Sequence, residues 1–326
     1  MAIAMAAAAQ GGYILCAINN TRRGEGLVRD IRKADVQLLL VDSEHRHLLE
    51  SLDLSDVVVI DVDGMGWRRD VEAAGALEPY RTAAALDPFM MIFTSGTSGD
   101  PKAVLVTHMM VLVAAQSLVS RFSLCPKDVC YVSMPLFHSN AVLAGWGVAT
   151  AAGAALAPAK FSASGFLQDI REVRATYMNY VGKPLAYLLA TQERPDDADN
   201  PLRVAFGNEA CDNDIDQFAR RFDVAVYDGF GSTENAVIVT REEGTPTGSI
   251  GKGFPGVAIY DSDTLIECAV ARFDPHGILV NPDEAVGELV NTQGAGFFSG
   301  YYNDDEATGE RMRHGMYWSG DLAYRD

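Results

Sequence analysis

Phe93–Val104, FTSGTSGDPKAV, is the stretch on which the reading of the chain turns. It closes the apolar run FMMIFT (89–94), which reads as a strand running into a tight loop. Gly96 and Gly99 let the backbone curl so that successive N–H groups converge on an anion. Thr94, Ser95, Thr97 and Ser98 add hydroxyl donors, and Lys102 brings a positive charge behind Pro101. The run reads as a phosphate cradle. It is not a Walker A loop, because GxxxxGK[ST] is absent and the lysine follows the second glycine at a distance of three. A hydroxyl-rich surface loop would have the same composition, so the neighbouring motifs must arbitrate.

Outward from this loop, short β-branched runs recur: VQLLLVD (36–42), VVVIDV (57–62), VCYVSM (129–134), RVAFG (203–207) and VAVYDGF (224–230). Helix-length segments lie between them, Val104–Arg121, Ser164–Ala175 and Asp212–Phe222. Strands alternating with helices imply an α/β fold with helices packed on largely buried sheets. After about residue 236 the texture changes to Gly- and Pro-rich short strands, GSIGKGFPGVAIYD and AVGELVNTQG, implying a smaller antiparallel β section. Polar breaks at 194–201, 241–249 and 281–285 are too short for tethers and read as surface loops of one domain.

The chain has 326 residues, 48% of them hydrophobic, enough for a sizeable core. Its formal charge is −18, which disfavours nucleic acid and anionic membrane surfaces as partners. Five cysteines, with no CxxC pair and no histidine at metal-ligand spacing, read as reduced, mostly buried thiols of a cytoplasmic protein. The opening MAIAMAAAAQGGYILC lacks basic residues ahead of its apolar part and reads as an Ala-rich core helix. Between His138 and Lys160 lie 21 uncharged residues, but Ala and Gly dominate them, and the segment reads as buried helix, turn and strand.

Two further motifs follow in order: DGFGSTEN (228–235) and YWSGDLAYRD (317–326). With TSGTSGDPK they resemble the three motifs of the adenylate-forming superfamily, which includes acyl-CoA synthetases, luciferases and adenylation domains of peptide synthetases. The resemblance implies the large N-terminal domain of that fold across 1–326, incomplete at its N-terminal side and without the small lysine-bearing C-terminal domain. It implies that Thr94, Ser95, Gly96, Thr97, Ser98, Gly99 and Lys102 hold the ATP phosphates, that Phe230 packs on adenine between Gly229 and Gly231, and that Thr233 meets the α-phosphate region. Glu234 would hold Mg²⁺, a hard cation suited to carboxylate and phosphate oxygen, and Asp321 would accept hydrogen bonds from both ribose hydroxyls. FGNEA (206–210) falls where the family lays backbone along adenine, so Gly207, Asn208 and Glu209 are expected contacts, with Asp228 near the adenine amino group.

PLFHSNA (135–141) resembles the segment beside the acyl pocket and puts His138 near the reacting carboxylate, the lesser alternative being a histidine that caps or satisfies a core helix. No aspartate stands in it to hold an α-ammonium, which favours a plain carboxylic acid. FGNEACDNDIDQFARRF, IYDSDTLIE and GYYNDDEATGERMRHGMYWSGDLAYRD are most similar to the very-long-chain acyl-CoA synthetase and fatty-acid-transport-protein branch. The implied reaction is ATP-dependent activation of a fatty acid to its adenylate and then to the coenzyme A thioester. Two alternatives stay open: an acyl-AMP ligase serving a carrier protein, and a catalytically silent nucleotide- or acyl-binding module. Transient membrane contact would suit a lipid substrate, and the oligomeric state is left open.

Overall fold

The computed structural model describes residues 1–94, 101–242 and 244–326. The chain divides into two compact units, Met1–His108 with Gly300–Asp305, and Met109–Ser299 with Glu306–Asp326.

The first unit opens with α1 (Ala2–Gly11), which buries Met5 and Ala8 and stops at Gly12, whose φ of 75° is the left-handed conformation that ends helices. The Ala-rich opening is thus a helix with a buried face. Then come β1 (Leu15–Ala17), α2 (Gly24–Lys33), β2 (Leu38–Val41), β3 (Val58–Asp61), α3 (Met65–Ala73), β4 (Pro88–Thr94) and β5 (Lys102–Thr107). In α2, Leu27 and Ile31 face inward, while Glu25 in the first turn and Arg32 and Lys33 in the last complement the helix dipole. β1 pairs parallel with β4, and β4 antiparallel with β5. β2 and β3 form a separate parallel pair. The stretch 300–305 returns to this unit: Tyr301 bridges Val104, and the Tyr302 N–H donates to Ala103 O at 2.8 Å.

The helix expected over Val104–Arg121 begins only at His108. Lys102–Thr107 is strand because Val104 and Val106 are β-branched and pair with Ile92 and Met90 along β4.

The second unit is built on a seven-stranded sheet. Along the chain run α4 (His108–Phe122), β6 (Val129–Val132), a π-helical turn (Ala141–Trp146) continuing into α5 (Gly147–Ala152), β7 (Ala155–Pro158), α6 (Phe166–Glu172), β8 (Tyr177–Val181), α7 (Pro184–Leu189), β9 (Val204–Asn208), α8 (Asp212–Phe222), β10 (Ala225–Gly231), β11 (Ile238–Thr240) and β12 (Lys252–Gly253). The spatial order is β7-β6-β8-β9-β10-β11-β12, parallel from β7 to β10 and antiparallel beyond. α6, α7 and α8 cover one face with Phe166, Ile170, Leu185, Leu188, Phe218 and Phe222, packed on Met178, Tyr180 and Ala205. On the other, Ala115, Phe122, Val148 and Ala149 pack on Cys130, Tyr177 and Val204. Helices on both faces explain why these strands read as unbroken apolar runs. The uncharged 138–160 stretch becomes the π turn, α5 and β7. Among the described residues no helix is long and apolar enough to cross a membrane.

A second sheet in this unit, β13 (Val257–Tyr260), β14 (Gly287–Asn291), β15 (Met312–Arg313) and β16 (Met316–Ala323), has the order β13-β14-β16-β15 and is antiparallel throughout. This is the antiparallel section expected after residue 236. Trp318 is fully buried in it, with the Arg313 guanidinium 4.3 Å from its ring centre.

From β6 the chain goes to β7 on one side and then to β8 on the other, so the strand order reverses between β6 and β8. Open parallel sheets bind ligands beyond the carboxyl ends of their strands at such a reversal.

Candidate functional site

The segments expected to carry chemistry in the second unit all leave the carboxyl ends of these strands: 133–141 after β6, 207–209 at the end of β9, and 228–234 at the end of β10. In the parallel register Gly207 stands beside Asp228, and Asn208 beside Gly229. A Cβ on Gly207 would lie 2.3 Å from Tyr180 O and 2.5 Å from the Tyr180 ring, so only glycine lets β8 and β9 come together here. Glu209 follows at φ 66° and turns the chain outward.

Asp228 is buried and accepts hydrogen bonds from the Tyr180 hydroxyl at 2.9 Å and the Ala210 N–H at 3.2 Å. Burial pushes its carboxyl above the ordinary aspartate range, opposed by those two bonds. The Tyr180 phenol is pushed up by burial and by the neighbouring Asp228. Phe230 lies half-buried opposite Val239 of β11, and a Cβ on Gly229 would meet Val239 O at 2.7 Å.

The Thr233 hydroxyl donates to Ser139 Oγ at 3.0 Å, which ties the β10 loop to the segment carrying His138. Glu234 is 8% exposed. Asn235 then reverses the chain at φ 52°, and Ala236 O accepts from Asn291 Nδ2 of β14 at 2.8 Å. The His138 ring lies 4.6 Å from that of Phe137, tilted by 45° to it. Although its surface is exposed, surrounding protein withdraws enough solvent to lower its pKa, so the ring is neutral near pH 7.

Three asparagines join these segments. Asn179 Nδ2 donates to Asn140 Oδ1 at 2.6 Å, Asn140 Nδ2 to Asn208 Oδ1 at 3.0 Å, and Asn208 Nδ2 to Gly229 O at 2.9 Å. Of the residues building this cluster, sequence reasoning missed Asn140, Asn179, Tyr180 and Ser139. Ser139 and Asn140 lie inside PLFHSNA, where two polar residues between a strand and an apolar helix were the available signal.

Asp321 is exposed on β16, in the other sheet of this unit. Ser319, Gly320 and Asp321 stand opposite Leu289 alone, a bulge in which Gly320 takes φ 80° and donates its N–H to Glu288 Oε1 at 2.7 Å. Thr94 and Lys102 face each other across β4 and β5 in the first unit. Lys102 is 6% exposed, with its ammonium 5.2 Å from the Tyr301 ring centre. Ser95, Gly96, Thr97, Ser98 and Gly99 lie outside the described residues. The structure thus gathers 138–140, 207–209 and 228–234, places Asp321 on a different sheet, and holds Thr94 and Lys102 in the other unit.

Among the described residues no three His, Cys, Asp or Glu side chains cluster as a metal cage. A single sequestered carboxylate, Glu234, fits a cation such as Mg²⁺ that takes one protein oxygen and completes its shell with phosphate oxygens and water. Cys16 and Cys130 have their thiol pKa pushed up to about 12, chiefly by burial, which keeps them unreactive. Cys125 and Cys211 are exposed, contrary to the mostly buried thiols expected, because both sit in polar loops beside strand and helix ends.

Residues 1–302 match the model of the AMP-binding enzyme family. The medium/long-chain-fatty-acid–CoA ligase FadD17 of Mycobacterium tuberculosis is 52% identical over 324 residues, 99% of this chain and 61% of that protein. The steroid-22-oyl-CoA synthetase of Rhodococcus jostii is 43% identical over 326 residues, 98% of this chain and 59% of that protein. The chain therefore spans about three-fifths of the length of these relatives. ATP-bound MatB from Rhodopseudomonas palustris shares the fold, with a TM-score of 0.80 at 20% identity over 97% of this chain and 62% of that one. With the family model matched over most of its length and a relative half identical across 99% of it, the chain belongs to the AMP-binding, adenylate-forming family of enzymes.

Proposed function

We propose that this chain carries the nucleotide- and acid-binding machinery of an ATP-dependent acid–thiol ligase that activates a medium- or long-chain fatty acid. The observation behind this reading is the gathering of 138–140, 207–209 and 228–234 at the strand reversal, in a chain half identical to a fatty-acid–CoA ligase. The fatty carboxylate attacks the α-phosphorus of ATP, an acyl–phosphate bond forms and pyrophosphate leaves. The coenzyme A thiol then attacks the acyl carbon and AMP departs. The first step brings two anions together, so its barrier is chiefly electrostatic.

Each residue has a part in lowering that barrier. The backbone of Gly207–Glu209 and the Phe230 ring hold adenine, with Asp228 beside its amino group and Asp321 on the ribose hydroxyls. Thr233 orients the α-phosphate. Lys102, Thr94 and the 95–99 loop receive the charge that collects on pyrophosphate. His138, neutral near pH 7, donates a hydrogen bond to the acid without cancelling the charge that makes it a nucleophile. Glu234 would hold Mg²⁺, which supplies charge neutralisation on the phosphates when bound. Both compact units belong to one AMP-binding large domain in this reading, and a charge of −18 suits an enzyme in the aqueous phase that meets a bilayer only to collect substrate.

Titration calorimetry with AMP and with ATP and Mg²⁺ tests the binding part. Folded protein that takes neither nucleotide refutes the proposal. Glu234→Ala is expected to retain AMP affinity without metal and to lose the Mg²⁺-dependent gain in ATP affinity by about tenfold or more; an unchanged gain removes Glu234 from the metal role. ATP–pyrophosphate exchange across straight-chain acids and a steroid side-chain acid identifies the acid. Thioester formation with free coenzyme A separates a coenzyme A ligase from one that serves a carrier protein.

A further inference from the structure

The three-asparagine relay has a fixed direction, and the direction can be worked out from its end. The Gly229 carbonyl can only accept, so Asn208 must turn Nδ2 to it and Oδ1 away. Asn140 must then offer Nδ2 to Asn208 and keep Oδ1 for Asn179, which has to present Nδ2 in turn. Each amide has one orientation that satisfies both neighbours. The far end of the relay carries the cost: Asn179 is 1% exposed, and its Oδ1 is buried with no hydrogen-bond partner among the described residues, beside the position a Cβ of Gly145 would take, 3.4 Å away. A buried acceptor left unpaired is a penalty that an apolar residue of similar size would remove. Packing alone gives no reason to keep an asparagine here.

We propose that Asn179 and Asn140 are positioning residues for nucleotide binding, fixing the Asn208 amide through the relay so that it holds the Gly229 carbonyl and the strand ends on either side of the nucleotide in one arrangement. The inference rests on the reading that the 207–231 backbone faces the nucleotide. Ser139, hydrogen-bonded to Thr233, pins the same segment from the other side, so 138–140 is held at two points and His138 is carried with it. Neither Asn179 nor Asn140 is assigned a contact with ATP; both act through Asn208.

The test uses isosteric changes. In Asn179→Asp an ionised carboxylate can only accept, so Asn140 must turn its NH₂ toward it, Asn208 must turn in response, and an oxygen then faces Gly229 O. The whole relay reverses without any change of shape. AMP affinity, measured by calorimetry on the full chain, is expected to fall about tenfold at pH 8 relative to wild type. It should recover as pH falls and the introduced carboxyl regains a proton to donate. The nearby Tyr177, Tyr180 and Cys130 keep their protons over this range because burial raises their pKa values. His138 and Asp228 occur in both proteins, and titration of the AMP phosphate is common to both, so the ratio to wild type at each pH removes them. Asn140→Asp, at a half-buried position, gives the same expectation and serves if Asn179→Asp does not fold. Wild-type affinity in a folded variant, or a loss that is the same at every pH, overturns the relay. Wild-type protein that binds no AMP overturns the nucleotide reading beneath it.

Discussion

At the scale of single residues, the site is set by where a side chain cannot be. Gly207 lies where a Cβ would sit 2.3 Å from a backbone oxygen, and backbone cannot give way as the end of a long side chain can. Gly207→Ala is expected to destabilise the protein by about 2–4 kcal/mol in denaturant unfolding. Among the described residues Gly231 has nothing within 4 Å of its missing Cβ, and Gly231→Ala should stay within about 1 kcal/mol. Equal costs at the two positions would contradict this account. The glycines of FGNEA and DGFGSTE were legible in sequence because they stand inside recognisable motifs, although what excludes a side chain at Gly207 and Gly229 lies on β8 and β11. Tyr180 and Asn179 were not, because what they do depends on side chains met across the sheet, Asp228 for one and Asn140 for the other.

At the scale of elements, α8 is fastened to the end of α7 and the loop after it by one arginine. Arg221 Nε meets Asp197 Oδ2 at 2.6 Å with both side chains nearly buried, and its Nη1 donates to the carbonyls of Leu188, Leu189 and Thr191. Removing one partner of such a pair strands the other, so Asp197→Asn should cost about 3 kcal/mol. Burial alone would raise the Asp197 pKa, but the Arg194 N–H and Arg221 outweigh it and hold the carboxyl below its usual range. The stability it contributes is complete above the unfolded value of about 4 and is lost as pH falls through the lower folded value. Wild-type stability should therefore decline more steeply than that of Asp197→Asn below about pH 4. Parallel denaturant titrations check this, and parallel curves would remove the ion pair from the account. The elements themselves were partly legible. β6, β9 and β10 follow from their β-branched runs, and α8 was read at its observed bounds, Asp212–Phe222. YMNYV hid β8, because a strand buried on both faces shows no alternation and its central asparagine looks like a loop residue. Val104–Thr107 was taken for the start of a helix because strand and helix share the same short apolar run, and only the open edge of β4 decides between them.

At the scale of the whole molecule, 44 acidic against 26 basic residues leave a charge of −18. Self-repulsion at this level opposes the compact state and is screened within about 10 Å at 0.1 M salt. The thermal midpoint should therefore rise by a few degrees from about 0.01 to 0.2 M NaCl, and a fall would show that exposed ion pairs such as Arg46–Asp61 outweigh the repulsion. The fold class was legible because three motifs and their order carry it. The division into two units was not, since the six residues that rejoin the first unit, Gly300–Asp305, look like any other turn in sequence. That return has a consequence for biosynthesis. Val104 waits for Tyr301 as its bridge partner, and Lys102 waits for the ring that shelters it. About 200 residues must be translated in between, some 10–40 s at about 5–20 residues per second. On the ribosome the first unit emerges early and unfinished, and the Lys102 ammonium is among the last groups to find its surroundings.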